Sequence, residues 1–349
     1  MDRRAFFGLT ASAAAAGIVA GATKIRAAMI GTAHGHAASK ARRLRQMAEY
    51  DFVGLCSVHP DEPDTHEAFE GVRRLPVDKV LSDRSIEMVA IETRVERNME
   101  YAERAVSAGK YVHLDKPPGG NLKRLQTLFD EARRRGRMVQ LGYQWRYLPA
   151  MQAAIEAARK GWLGQVYSMQ ARIDKPLEAD ERRQLAKFGG GIMFEEGCHL
   201  IDRAVDLFGT PKRVTGYMQH ASATFDDGLA DNTLAILEYD RALVEISMAS
   251  FQPHGNLYRL FELAGTNGKA SAQPYSPSRL LVDLKVAAGP YKAGAQVLEP
   301  VEPVEPVGPE YAPDFREMAR IIREGAKPSY SAEHDLIVHD TLLRACGMT

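Results

Sequence analysis

The chain has 349 residues, 45% hydrophobic and 26% charged, which is enough apolar material for two packed cores and excludes a disordered chain. Its 45 basic residues balance 45 acidic ones without a long block of either sign, so no electrostatic footprint for nucleic acid exists. Cys56, Cys198 and Cys346 lie far apart, with neither disulfide-framework nor zinc-ligand spacing, and no metal site is expected.

The opening stretch, "MDRRAFFGLTASAAAAGIVAGATK", carries Arg3-Arg4, Phe6-Phe7 and a weakly apolar run free of charge until Lys24. A stable membrane span needs about 20 predominantly apolar residues of stronger hydrophobicity. The pattern resembles a twin-arginine export signal over residues 1–22, which implies an exported, periplasmic protein. Cleavage after Ala22 and retention as an uncleaved anchor both stay open, because the first core strand begins at Ile25.

From Ile25 the chain alternates strand and helix. "KIRAAMIGTAHGHAASKARRLRQM" reads as strand, glycine turn and helix, and "YDFVGLCSVHP" as a second strand stopped by Pro60. "IEMVAIET" is a third strand, followed by a helix that Gly109 ends. "YVHLDKP" is a fourth, "LKRLQTLFDEARRRG" a helix and "MVQLGYQWR" a fifth strand. This alternation predicts a doubly wound parallel sheet, an α/β domain over residues 23–146.

Beyond residue 146 the pattern changes. After a helix near Ala150–Lys160 come "GQVYSMQARI", "RVTGYMQHAS", "NTLAILEYD", "ALVEISMASF" and "LYRLFELAGT", with hairpin turns at "YDRA" and "GTNGK". An α+β domain over residues 147–349 is expected, with an open, mostly antiparallel sheet that has one face covered and one free. "VLEPVEPVEPVGPEY" reads as an extended connector, and "DFREMARIIREG" and "AEHDLIVHDTLLRAC" as two closing helices.

Three places carry chemistry. In "MIGTAHGHAA" a glycine ends a strand and opens a helix, where a dinucleotide pyrophosphate meets backbone N–H groups. Gly31 fills the first glycine position, Ala33 the second and His36 the third, with Gly35 out of phase, so a plain strand–helix turn is an equal reading. His34 and His36 read as polar loop residues. At the end of the second strand Ser57 stands where an acid would bind the adenosine ribose, which tilts the cofactor from NAD towards NADP. In "GGGIMFEEGCHLID", Glu195, His199 and Asp202 fall on one helical face, where carboxylates can fix a histidine tautomer and raise its basicity. A satisfied structural histidine is the plain alternative.

Taken in order, "MIGTAHGH", "AGKYVHLDKPPG" and "GGGIMFEEGCHLID" resemble the motifs of the glucose–fructose oxidoreductase, inositol dehydrogenase and rhizopine-catabolism family, Gfo/Idh/MocA. The resemblance spans about Ile25 to Ala345. It implies that Asp115-Lys116-Pro117 stands for the family's Glu-Lys-Pro, with the proline locking the turn and Lys116 aimed at nicotinamide and substrate. By position, His199 is the general base, Lys116 steadies the developing oxyanion, and Glu195 takes the place of the catalytic aspartate. Asp202 is a support behind them. Asn98 falls near the nicotinamide ribose, and Trp145, Arg146 and Tyr147 are expected to line the substrate site, with domain packing an equal role for Trp145.

The expected protein is an NAD(P)-dependent oxidoreductase acting on a secondary hydroxyl of a sugar, cyclitol or related polyol. Its cofactor is held tightly, and it assembles as a homodimer or homotetramer through the free sheet face. Two rivals share the fold: cofactor-assisted glycoside cleavage through a 3-keto intermediate, and a non-catalytic binding protein.

Overall fold

In a computed structural model the chain is described over residues 23–59, 62, 65–274, 277–301 and 312–349. The expected signal at 1–22 and residues 302–311 of the proline-rich connector lie outside the described residues.

The first sheet forms because its strands are continuous apolar runs, which suit burial on both faces. β1 (Ile25–Ile30), β2 (Tyr50–Cys56), β3 (Met88–Ile91), β4 (Tyr111–Leu114) and β5 (Val139–Leu141) pair in parallel in the order β2-β1-β3-β4-β5. Their connections carry α1 (Ala37–Gln46), α2 (Val77–Ser82), α3 (Val95–Ser107) and α4 (Leu122–Arg134). Asn121 caps α4 by accepting the Arg124 backbone N–H at 2.9 Å. α2 is absent from the sequence reading. The fifth strand is shorter than "MVQLGYQWR" suggests: it stops at Leu141, and Gln144–Tyr147 wind into a 3-10 turn. Gly142 is the pivot, since a Cβ there would lie 3.2 Å from Asp115 Oδ1.

α5 (Pro149–Arg159) leads into an eight-stranded sheet of β6 (Val166–Asp174), β7 (Arg213–Gln219), β8 (Asn232–Glu238), β9 (Leu243–Ala249), β10 (Leu260–Gly265), β11 (Gly268–Ala272), β12 (Leu280–Leu284) and β13 (Gly294–Leu298). The order is β13-β12-β11-β10-β6-β9-β8-β7, antiparallel except for the β6–β9 pair. β12 and β13 were not foreseen from sequence. Between β6 and β7 lie α6 (Ala179–Leu185) and α7 (Gly191–Phe208), and α8 (Pro313–Glu324) and α9 (Ala332–Ala345) end the fold. α5, α7 and α9 cover one face, over Met169, Ala171, Val244 and Ile246. The opposite face keeps Gln170, Arg172, Tyr217 and Leu243 exposed.

Packing joins the two sheets. Phe315 and Met318 of α8 return to the first sheet, against Ile25, Ala27, Met88 and Ala90. Tyr50 donates its hydroxyl to the Phe315 carbonyl at 2.6 Å. Among the described residues no helix is long and apolar enough to cross a membrane.

Candidate active site

A cleft with about 860 Å³ of empty space, open mouth included, lies at the C-terminal edge of the parallel sheet. This is where strand order reverses, between β1 and β3, the usual ligand position in open α/β sheets. Ala33, His34, Gly35, Thr93 and Arg94 form one wall, and Lys175, Leu177, Leu185, Phe188 and Glu195 the other. Glu96 and Lys187 bridge the mouth at 2.9 Å.

Gly31 is required by close approach: its φ is +90°, and a Cβ would lie 2.6 Å from Thr93 Cγ2. At Gly35 a Cβ would meet nothing within 4 Å, so the loop faces open space. The His36 ring, which replaces a fingerprint glycine, turns under the loop, where Nδ1 sits 3.1 Å from Asp115 Oδ2. It therefore does not fill the cleft, and the residues present fit a dinucleotide. The backbone of Ala33–Gly35 and the Thr93–Glu96 loop would hold it.

The Asp115–Pro117 turn is fixed from several sides. Asp115 Oδ1 accepts the Lys116 backbone N–H at 2.6 Å, and Oδ2 accepts from the Lys40 ammonium at 2.5 Å. Burial works against the Asp115 charge, but His34 and Lys40 hold its pKa well below the usual carboxylate range. Lys40 also donates to Glu92 Oε1 at 2.7 Å. The Lys116–Pro117 peptide is cis. Asn98, expected near a ribose, is wholly buried: its amide donates to the Asp115 and Pro117 carbonyls at 3.4 and 3.2 Å and holds this turn instead.

Lys116 crosses to the second domain. Its ammonium donates to Glu195 Oε1 at 2.9 Å and to the Glu195 carbonyl at 3.0 Å, and lies 3.8 Å from Glu196 Oε2. Burial opposes the charged form, but Glu195 and Glu196 more than offset it, so Lys116 stays protonated beyond the usual lysine range. α7 begins where it does because Gly190 and Gly191 leave no room for a Cβ against Cys346 and the Ala230 backbone.

His199 lies behind these groups, 1% exposed. Its ring stacks on Trp145 at 4.4 Å and 14°, with Tyr143 edge-on at 6.4 Å. Nε2 is 3.9 Å from Glu196 Oε2, while Nδ1 has no hydrogen-bond partner among the described residues. Burial first, then the Lys116 ammonium, push its pKa well below the usual value, so the ring is neutral and able to accept a proton.

The helical stripe is thus corrected in two places. The carboxylate nearest His199 is Glu196, three residues before it, whereas Glu195 belongs to Lys116. Asp202 is spent on the Arg146 guanidinium at 2.7 and 3.0 Å, on Arg203 and on His334, in a buried ion cluster completed by Asp335. Arg146 therefore does not line the cleft, nor does Tyr147, whose hydroxyl donates to Glu317 Oε2 at 2.7 Å. Trp145 serves as the shelf for His199.

Sequence reasoning missed Glu196, Lys40, Glu92 and Glu62. Lys40 had a signal, since it sits on the buried stripe of α1 with Ala37, Ala41 and Leu44. Ser57 is exposed at the end of β2, but the Glu62 carboxylate returns to accept N–H groups from Val58 at 2.9 Å and Thr32 at 3.4 Å. An acid thus stands between the end of β2 and the turn after β1, five residues after Ser57.

Residues 25–143 match the model of an oxidoreductase family with an NAD-binding Rossmann fold, and residues 151–271 match the GFO/IDH/MocA C-terminal domain. The chain belongs to the Gfo/Idh/MocA family, and its first domain matches that family's NAD-binding Rossmann fold. An uncharacterized oxidoreductase of Schizosaccharomyces pombe is 30% identical over 161 residues, 45% of this chain and 44% of that protein, so the chain spans about half the length of that relative. The D-xylose 1-dehydrogenase (NADP(+)) 2 of Haloferax volcanii is 25% identical over 267 residues, covering 75% of this chain and 78% of its own. An oxidoreductase of Agrobacterium radiobacter, solved with NAD+, L-tartaric acid and magnesium, superposes with a TM-score of 0.75 at 16% identity over 92% of this chain and 94% of that one, a likeness of fold.

Proposed function

We propose that this oxidoreductase acts on a secondary hydroxyl of a sugar, cyclitol or related polyol. The observation that carries the reading is the contact of Lys116 with Glu195, which joins a β4 cation to an α7 acid beside a neutral, partly unpartnered His199. When bound, the nicotinamide supplies the hydride acceptor. His199 takes the hydroxyl proton, while the carbinol carbon gives up its hydride and becomes a carbonyl carbon. Lys116 steadies the negative charge that grows on the oxygen. Trp145 holds the imidazole plane, and Glu196 stabilises the imidazolium that forms.

The Haloferax relative, by name a sugar dehydrogenase, supports the substrate class. Arg3-Arg4 and the alanine-rich run after them support export, and an exported enzyme would carry its cofactor with it. Tight retention of NAD(P) is part of the same reading.

The test is to denature purified protein and assay the supernatant for NAD and NADP, then to screen sugars and cyclitols with product analysis. Near-stoichiometric nicotinamide and a keto product support the reading. Cleavage of a glycoside without net redox change would replace the reaction, and a protein with no micromolar affinity for either cofactor would end it.

A further inference from the structure

Three side chains converge under the loop between β1 and α1. The Nδ1 atoms of His34 and His36 each lie 3.1 Å from Asp115 Oδ2, and the three atoms fall within 4.8 Å of one another. A spacing near 3 Å is the edge expected of a coordination polyhedron with bonds of about 2.0–2.2 Å.

Tautomer chemistry points the same way. His34 Nε2 lies 3.2 Å from the Lys116 carbonyl oxygen, so the ring proton belongs there. Nδ1 then carries a lone pair, which accepts the His36 backbone N–H at 3.2 Å. The same ring nitrogen lies 3.1 Å from Asp115 Oδ2 and 3.8 Å from Glu92 Oε2. A ring nitrogen and two acidic oxygens that converge in a buried site make a donor set that a cation can bridge, the place the Lys40 ammonium now holds in part. Glu92 adds an independent sign: it is wholly buried, and Oε2 has no hydrogen-bond partner among the described residues.

We propose that His34, His36 and Asp115 form a site for a divalent transition-metal ion, with Glu92 Oε2 turned towards it. Two imidazoles and a carboxylate suit zinc, iron, cobalt or nickel rather than magnesium or calcium. Cysteine and histidine spacing in the sequence predicts no such site, because its ligands come from the ends of β1 and β4 and meet only across the sheet.

Lys40 is the competitor. Its ammonium lies 2.5 Å from Asp115 Oδ2 and 2.7 Å from Glu92 Oε1. On metal entry it releases the first oxygen and keeps the second. Gln144, 3.1 Å from His36 Nε2, turns its amide so that its oxygen accepts the Nε2–H. The ion would clamp Asp115, and through the Lys116 backbone N–H it would set the turn that presents the Lys116 ammonium.

The test uses the full chain, stripped with a chelator and checked for retained fold by circular dichroism. Co²⁺ is titrated in while its visible absorption is followed, and Zn²⁺ is then added as competitor. One equivalent should bind with a Kd below about 10 µM, and His36→Ala, at a partly exposed position, should weaken binding by about 100-fold or more. Weaker binding by the wild-type protein, or a His36→Ala protein that binds as well as the wild type, overturns the proposal. Neither readout needs turnover, so this result stands apart from the dehydrogenase reading.

Discussion

Lys116 and Glu195 meet across the domain boundary, ammonium to carboxylate at 2.9 Å and ammonium to backbone carbonyl at 3.0 Å. One residue ends a strand of the parallel sheet and the other sits in the second turn of α7, so the contact ties cofactor domain to substrate domain. Removing the cation strands two acids, Glu195 and Glu196, beside a buried histidine. Lys116→Ala should therefore cost about 3–5 kcal/mol of stability and also lower both turnover and cofactor content. Equal melting temperature and equal nicotinamide content in the variant would show that the pair positions nothing.

His199 should carry the proton. His199→Ala is expected to keep its cofactor and lose about 10²–10⁴ in turnover on a responsive sugar. Because burial and Lys116 depress its pKa, the wild-type rate should hold as pH falls through about 6.5 and decline only below it. A variant with the wild-type rate, or a wild-type acidic limb centred on 6.5, assigns the proton to another group.

Glu62 should select the cofactor. Its carboxylate sits between the end of β2 and the turn after β1, where a 2′-phosphate would be repelled. Glu62→Gln should raise the affinity ratio of NADP to NAD by about 10-fold, about 1.4 kcal/mol, read by calorimetric titration of stripped protein. An unchanged ratio removes Glu62 from the ribose site.

Acid should destabilise the fold before the carboxylates titrate. Burial lowers His113 and His339 from 6.5 to about 4. Below about pH 6.5 the unfolded chain takes up these protons and the native one does not. Stability is thus complete above that pH and is lost as pH falls towards 4, by up to about 3 kcal/mol for each histidine. Melting temperatures from pH 7.5 down to 4.5 read the effect, and a flat curve would mean that both rings are charged in the native state.

The free face of the eight-stranded sheet should be an interface between copies of the chain. Tyr217 and Leu243 are 56% and 58% exposed on it, among polar Gln170 and Arg172. Light scattering should give a dimer or tetramer, and Tyr217→Asp should shift it towards monomer. A wild-type monomer at micromolar concentration contradicts this.

Much of the architecture was legible because it rests on local regularities. Apolar runs such as "MVAI" and the amphipathic period of α3 and α4 belong to any chain that buries a parallel sheet between helices. Alternation in "NTLAILE" and "LVEISMA" likewise announces a sheet with one covered face. The short β12 and β13 escaped because runs of five residues carry little periodicity, and β5 ended early because Gly142 must pass close to Asp115, a contact invisible in one dimension.

The sequence by itself determined the two-domain plan, the glycine at residue 31, the Lys116 turn and the position of His199 on a helix, since each follows from period, spacing or backbone freedom. Only the tertiary structure decided which acid serves which base. Glu195 and Glu196 are adjacent in sequence, yet successive helical residues point about 100° apart, and the position of Lys116 settled that the first is its partner and the second is the nearer to the histidine. In the same way Arg146 and Asp202, both read as site residues, found each other in the core, because a buried guanidinium needs a carboxylate more than a cleft needs a wall.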